Sequence, residues 1–154
     1  MRIRLATDAD APALALLRRL WTEEGQAGPP TPAENADYET AFAEWWAAER
    51  DHRLFWLAED PGTGEPLGFI NLLVFTRMPR PGRTTTGWGY IGNAFVRADR
   101  RGAGVGTLLM DAVVRYADDR GLVRLVLSPT ERAVSFYRRA GFGPADMLMS
   151  RLPE

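Results

Sequence analysis

Arg101-Gly102-Ala103-Gly104-Val105-Gly106 stands between a predicted strand and a predicted helix. Glycines let a backbone approach a ligand closely and adopt conformations that a Cβ forbids. Where such a turn feeds a helix, the first N–H groups have no partner within it and the helix dipole favours negative charge there. The chemistry on offer is a cradle for phosphate or pyrophosphate, to which Arg101 would add charge-assisted bonds. The same glycines would also serve a tight strand-to-helix turn with no ligand. Two other phosphate motifs fail on inspection. A Walker loop needs a second glycine followed by lysine, but Thr107 stands five residues after Gly102 and the chain has no lysine. Thr107 also takes the place of the third glycine in a dinucleotide fingerprint.

Composition removes several other chemistries. With no cysteine, disulfides, thiolate nucleophiles and cysteine-bound metals are excluded. A single histidine, His52, argues against a histidine-built metal site or a Ser-His-Asp triad, so no metal is expected. All 19 basic residues are arginine, which removes Schiff-base and lysine-base chemistry. A net charge of −1 lacks the basic excess of a nucleic-acid binder. No apolar stretch reaches the ~18 residues of a membrane span, and the start carries no secretory core. A cytoplasmic protein with neither nucleic-acid nor membrane partner is the expectation. The 154 residues make one domain, 1–154.

The elements that must position the loop follow from periodicity. A strand, Ile3–Ala6, leads to a helix with Leu14, Leu17, Leu20 and Trp21 on one face, broken by Gly25–Pro30. Thr31-Pro32-Ala33-Glu34 reads as a capping box opening a second helix that carries Tyr38, Phe42, Trp45 and Trp46 and ends near Arg50. Leu54–Glu59, Leu67–Phe75 and Tyr90–Val96 read as strands. The glycine loop then opens a helix with Val105, Leu108, Leu109, Ala112, Val113 and Tyr116 on one face, stopped by Gly121. Leu122–Leu127 is a further strand, Ser128-Pro129-Thr130-Glu131 a second capping box before a short helix, and Met147–Leu152 a last strand. The order β-α-α-β-β-β-α-β-α-β predicts a mixed α/β fold, with about six strands in a central sheet flanked by four helices.

Here the chain resembles the GCN5-related N-acetyltransferase (GNAT) superfamily. Its acyl-CoA loop reads Arg/Gln-x-x-Gly-x-Gly/Ala, matched at every specified position by Arg101–Gly106. Phe95-Val96-Arg97-Ala98-Asp99-Arg100 resembles the strand end before that loop, with Ala98 where proline is frequent. Ala133-Val134-Ser135-Phe136-Tyr137-Arg138-Arg139-Ala140-Gly141-Phe142 resembles the family's Ala-x-x-Phe/Leu-Tyr-x-x-x-Gly-Phe helix. Ile3–Thr7 with Asp10, and Gly68-Phe69-Ile70, are similar as well, so the likeness covers nearly the whole chain and is loosest over Glu23–Arg53.

The resemblance implies acetyl-CoA as co-substrate, no metal, and a primary amine of a small molecule or peptide as acceptor, attacking directly in a ternary complex. It implies that the backbone of Arg101, Gly102, Ala103, Gly104, Val105, Gly106 and Thr107 holds the CoA pyrophosphate. Phe95 and Val96 would pair with the pantetheine arm and offer an N–H to the thioester carbonyl. Tyr137 would protonate the departing thiolate, and Thr130 would take the arm contact that the family often gives to asparagine. Homodimers are frequent in the family. Each residue has a plainer reading: Tyr137 as a buried helix residue, Ser128 as a helix cap, Arg132, Arg138 and Arg139 as a solvated face from which one could meet the CoA 3′-phosphate.

The acceptor's base stays unassigned. Many members carry a glutamate on the strand equivalent to Tyr90–Val96, and none stands there in this chain. Glu23, Glu24, Asp37, Glu44 and His52 are the alternatives, or solvent. The missing carboxylate keeps a second class in view, a catalytically inactive acyl-CoA-binding sensor. The second helix and the Thr76–Gly87 loop are expected to choose the acceptor.

Overall fold

The structure, a computed structural model, describes residues 1–25, 31–84, 86–146, 148–151 and 153. Five strands make one sheet in the order of the chain: β1 (Arg2–Leu5), β2 (Arg53–Glu59), β3 (Pro66–Thr76), β4 (Gly87–Val96) and β5 (Leu125–Leu127). The first four pair antiparallel and β5 runs parallel to β4. Four helices complete the described elements: α1 (Ala11–Glu23), α2 (Pro32–Glu49), α3 (Val105–Asp119) and α4 (Val134–Arg139).

β2 reads as an unbroken apolar run because both of its faces are covered. Trp56 and Ala58 join Ile70, Leu72 and Ile91 under Val105, Leu109, Met110 and Val113 of α3. Phe55 and Leu57 join Phe69 and Phe95 under Leu14 and Leu17 of α1 and Trp46 of α2. α3 is the crossover that a parallel β4–β5 pair requires. The Thr31 capping box forms: Glu34 N–H donates to Thr31 Oγ1 at 3.3 Å, and Thr31 N–H to Glu34 Oε2 at 2.7 Å. Tyr38 and most of its aromatic neighbours on α2 serve packing. Its hydroxyl donates to the Ala15 carbonyl at 2.8 Å, and Phe42 and Trp46 stack at 6.4 Å. Gly121, at φ 61°, ends α3 as its position predicts.

Three expectations are corrected. Among the described residues the sheet has five strands rather than six. Leu148 N–H turns back to the Ala145 carbonyl at 3.1 Å, so the segment bonds within itself instead of to β5, and the Met149 side chain is fully exposed. Met147 and Leu152, the ends of the expected strand, lie outside the described residues, as do residues 26–30 of the expected break after α1. β5 is also shorter than Leu122–Leu127, because Leu122 N–H closes the end of α3 on Ala117 and Val123 N–H bonds to Gly87. Finally, Ser128 is not a helix cap. Thr130 is still extended (φ −73°, ψ 155°), so the helical turn begins after it, at Glu131.

Candidate active site

Two interruptions open the sheet on the β5 side of β4. β4 bulges where Gly92 and Asn93 together oppose the single residue Asn71, between the pairs Ile70–Ala94 and Leu72–Ile91. The buried Asn71 stabilises the bulge by accepting the Asn93 N–H at 3.1 Å and donating Nδ2–H to Asn93 Oδ1 at 3.2 Å. β5 leaves the ladder after the pair Ile91–Leu127, two residues before Pro129, which has no N–H to donate. Residues Gly92–Val96 therefore have no β5 partner.

Strand alternation decides which groups face this gap. Arg97 N–H donates to the Leu67 carbonyl on β3. Phe95, two residues earlier, turns its N–H the same way, and Ala94 and Val96 turn theirs toward the gap. Val96, not Phe95, thus offers a strand donor there.

The gap opens into a cleft of about 570 Å³ bounded by β4, the start of α3, and α4. Of the residues singled out from sequence, Phe95, Val96, Arg101, Gly102, Gly104, Val105, Gly106, Thr107 and Tyr137 line it, whereas Ala103 and Thr130 do not. Gly102 and Gly104 have φ of 76° and 82°, the left-handed region where a Cβ is strained. This geometry turns the loop into α3 with its amides exposed. Leu108 N–H is the first to bond back, to Gly104. Among the described residues the N–H groups of Gly102 through Thr107 donate to no protein acceptor. Such a row of N–H groups at a helix start has the character of an anion site.

Arg100, Arg132 and Arg139 also line the cleft. Nothing local to Arg100 marks it, and Arg132 and Arg139 stand on a helix face read as solvated. The Arg101 side chain is already engaged. Its Nη2 donates to both carboxylate oxygens of Glu24 at 2.9 and 2.7 Å, and its Nε to the Val96 carbonyl at 3.1 Å. Arg132 approaches the same carboxylate at 3.8 Å. Glu24 caps the end of α1, 77 residues away, and so brings an internal anion to the loop.

Tyr137 is half-buried, its ring edge-on to Phe136 at 5.1 Å and Phe142 at 6.0 Å. Burial pushes its phenol above the ordinary tyrosine value, because the charged form loses hydration. The hydroxyl thus stays a proton donor across the neutral range.

The sequence model of the acetyltransferase (GNAT) family matches residues 13–142. The chain belongs to the GNAT acetyltransferase family. Glucosamine 6-phosphate N-acetyltransferase 1 of Oryza sativa subsp. japonica is 30% identical over 118 residues, covering 76% of this chain and 68% of that protein. The glucosamine 6-phosphate N-acetyltransferase of Trypanosoma brucei brucei is 29% identical over 80 residues, 52% of each chain. Among solved structures, a probable acetyltransferase matches with a TM-score of 0.75 at 20% identity, covering 100% of this chain and 97% of that one. A predicted acetyltransferase from Clostridium acetobutylicum, solved with acetyl-CoA, gives 0.71 at 21% identity, covering 98% and 95%. At these identities the structural likeness speaks for the GNAT fold alone.

Within this GNAT fold, β4 carries no carboxylate from Gly87 to Val96, so the absence noted in the sequence holds for the whole strand. Of the alternatives, Glu24 is bound to Arg101 and Glu23 lies 3.7 Å from Arg19. His52 sits in a short 3₁₀ turn, Arg50–His52, before β2. No helix among the described residues is long and apolar enough to cross a membrane.

Proposed function

We propose that this chain is an acetyl-CoA-dependent N-acetyltransferase that acetylates a primary amine of a small molecule or peptide by direct attack in a ternary complex. One observation carries the reading: a gap through the sheet joins an unsatisfied N–H cradle, a strand edge without a β5 partner and a half-buried phenol. The residues fit acetyl-CoA in character. The amides of Gly102–Thr107, with Arg100, Arg132 and Arg139 nearby, suit its phosphates. The edge of Ala94–Val96, which has no β5 partner, suits an extended amide-bearing arm, which would add as a strand.

Acetyl-CoA, when bound, supplies an acyl carbon activated by a thiolate leaving group. The amine nitrogen forms the new C–N bond as the C–S bond breaks. Val96 N–H faces the gap as a donor for the carbonyl oxygen while negative charge develops there. Tyr137 holds its proton at Oη for the departing sulfur; its ordinary pKa of ~10 lies above a thiol's ~8.5, so the transfer is uphill by about 2 kcal/mol, and the phenolate regains its proton from solvent. The attacking nitrogen gives its own proton to solvent or to a carboxylate outside β4. The names of the rice and trypanosome relatives favour a small-molecule amine over a peptide.

A second reading, an acyl-CoA-binding sensor without turnover, follows from the absence of a carboxylate on β4. Thermal melting with acetyl-CoA, run beside thiol release over a panel of amines, separates the two. The transferase reading expects stabilisation together with amine-dependent thiol release that drops sharply in Tyr137→Phe. Stabilisation with no release on any amine would leave the sensor, and no stabilisation would end both.

A further inference from the structure

On the sheet face covered by α1 and α2, Arg53 opens β2 but does not stay over it. Its Nη1 lies 3.6 Å from the point where a Cβ on Gly92 would stand. β3 intervenes between β2 and β4, a span of roughly 9.5 Å, so the side chain is drawn across β3 to reach the β4 bulge. Two groups hold it there. Glu49 accepts its Nε–H at 2.7 Å, and its Cζ lies 5.4 Å from the Trp45 ring centroid.

The side chain is only 20% exposed, and among the described residues neither Nη1 nor Nη2 donates to a protein acceptor. An ion pair that merely closed the end of α2 would need the Nε bond alone. It would gain nothing from a guanidinium carried to β4. Gly92 has no side chain of its own over the strand, and the space is shared by Asn71 Oδ1, Leu73 Cδ1 and Arg53 Nη1; it is also the first β4 residue beyond the pairing with β5. Nη1 therefore stands at the closed end of the gap, beyond the residues that line the cleft itself. Phe95 and Val96 lie three and four residues farther along, about 10 and 13 Å.

We propose that Arg53 anchors the acceptor, selecting amines that carry a carboxylate or phosphate group up to about 10 Å from the reacting nitrogen. A planar guanidinium with both terminal nitrogens free matches either anion through paired N–H bonds. The proposal rests on the N-acetyltransferase reading above.

The test compares two matched pairs of acceptors, glucosamine 6-phosphate with glucosamine and 6-aminohexanoate with 6-aminohexanamide. It uses the parent chain, Arg53→Lys and Arg53→Met, with melting curves to establish that each variant folds. In the parent, kcat/KM should favour the anionic member of at least one pair by about 10- to 100-fold, the worth of a charge-assisted hydrogen bond. That ratio should fall close to one in Arg53→Met and partly recover in Arg53→Lys. The pair with the larger ratio identifies the anion. If none of the four amines is turned over, calorimetric titration onto the CoA-bound protein replaces the rate, with the same expected preference. Equal treatment of anionic and neutral partners in the parent, or a preference that survives Arg53→Met, would overturn the proposal. A chain that acetyl-CoA does not stabilise fails at the transferase reading instead.

Discussion

Alanine at Gly104 and at Gly106 should have opposite effects on stability, although the two positions are only two residues apart. Gly104 caps the start of α3 at φ 82° and ψ 0°, and a Cβ there would meet nothing within 4 Å. Its cost is therefore backbone strain alone, about 1–2 kcal/mol for an L-residue in the left-handed region. Reduced freedom of the unfolded chain returns about 0.4–1 kcal/mol. The net loss is about 1 kcal/mol, or about 2–4 °C in melting temperature for a domain of this size. Gly106 lies inside α3 without a positive φ, and its added Cβ would sit at ordinary contact distance, 3.4 Å from Phe136 Cε2 and 3.8 Å from Val96 Cγ2. Gly106→Ala should therefore gain about 0.4–1 kcal/mol. Acetyl-CoA affinity should separate from stability. Relief of strain in Gly104→Ala turns the loop amides out of the cradle, and binding should weaken by about tenfold or more, the worth of one hydrogen bond to a charged group. Melting curves of both variants with and without acetyl-CoA give both quantities. Affinity within twofold of the parent in Gly104→Ala, with an unchanged melting temperature, would refute the assignment of this loop as a cradle that depends on left-handed glycines.

Tyr137→Phe should lower kcat by about 100-fold or more, in line with the loss of a general acid, while changing stability little. Because burial raises this phenol above its ordinary value, the proton it supplies persists below pH ~10 and is lost only above it. A Tyr137-dependent fall in rate below pH 9 would contradict the role. Glu24→Gln should tighten acetyl-CoA binding by about two- to fivefold, the scale of a partly exposed ion pair, by releasing Arg101 from an internal competitor; weaker binding would make the Glu24–Arg101 contact a support rather than a rival. Asp10 receives Arg4 Nη1 and Nη2 at 2.8 and 2.7 Å, and these bonds hold its carboxyl well below the usual carboxylate range. The stability it contributes is present above the unfolded value of ~3.9 and lost as pH falls beneath it. Asp10→Asn should cost about 1.5–3 kcal/mol near neutrality and flatten the acid limb of a melting series between pH 5 and 2.

Local signals were read from sequence and distant ones were not. The Thr31–Glu34 box, the face of α3 and the stop at Gly121 each act within a few residues, and each stands where its pattern puts it. The glycine loop was legible for the same reason, since the positive φ of Gly102 and Gly104 is the conformation that selects glycine. The bulge at Gly92–Asn93 depends on the Asn71 side chain one strand away, and nothing local to β4 announces it. Glu24 meets Arg101 across 77 residues, and Arg53 reaches Gly92 only because β2, β3 and β4 lie side by side. The last strand failed for a different reason. Its apolar residues (Met147, Leu148, Met149 and Leu152) suit a strand, but the Ala145–Leu148 turn uses a hydrogen bond that a ladder would need.

The gap beside β4 is proposed to bring an acetyl donor and an amine together. The most direct test is the release of CoA thiol from acetyl-CoA by the purified chain, with and without each amine, with the acetylated product followed by mass. Thiol release that needs the amine, matches the acetylated product one for one and falls about 100-fold in Tyr137→Phe is the predicted result. Release that proceeds equally without any amine, or a Tyr137→Phe variant as active as the parent, would contradict it.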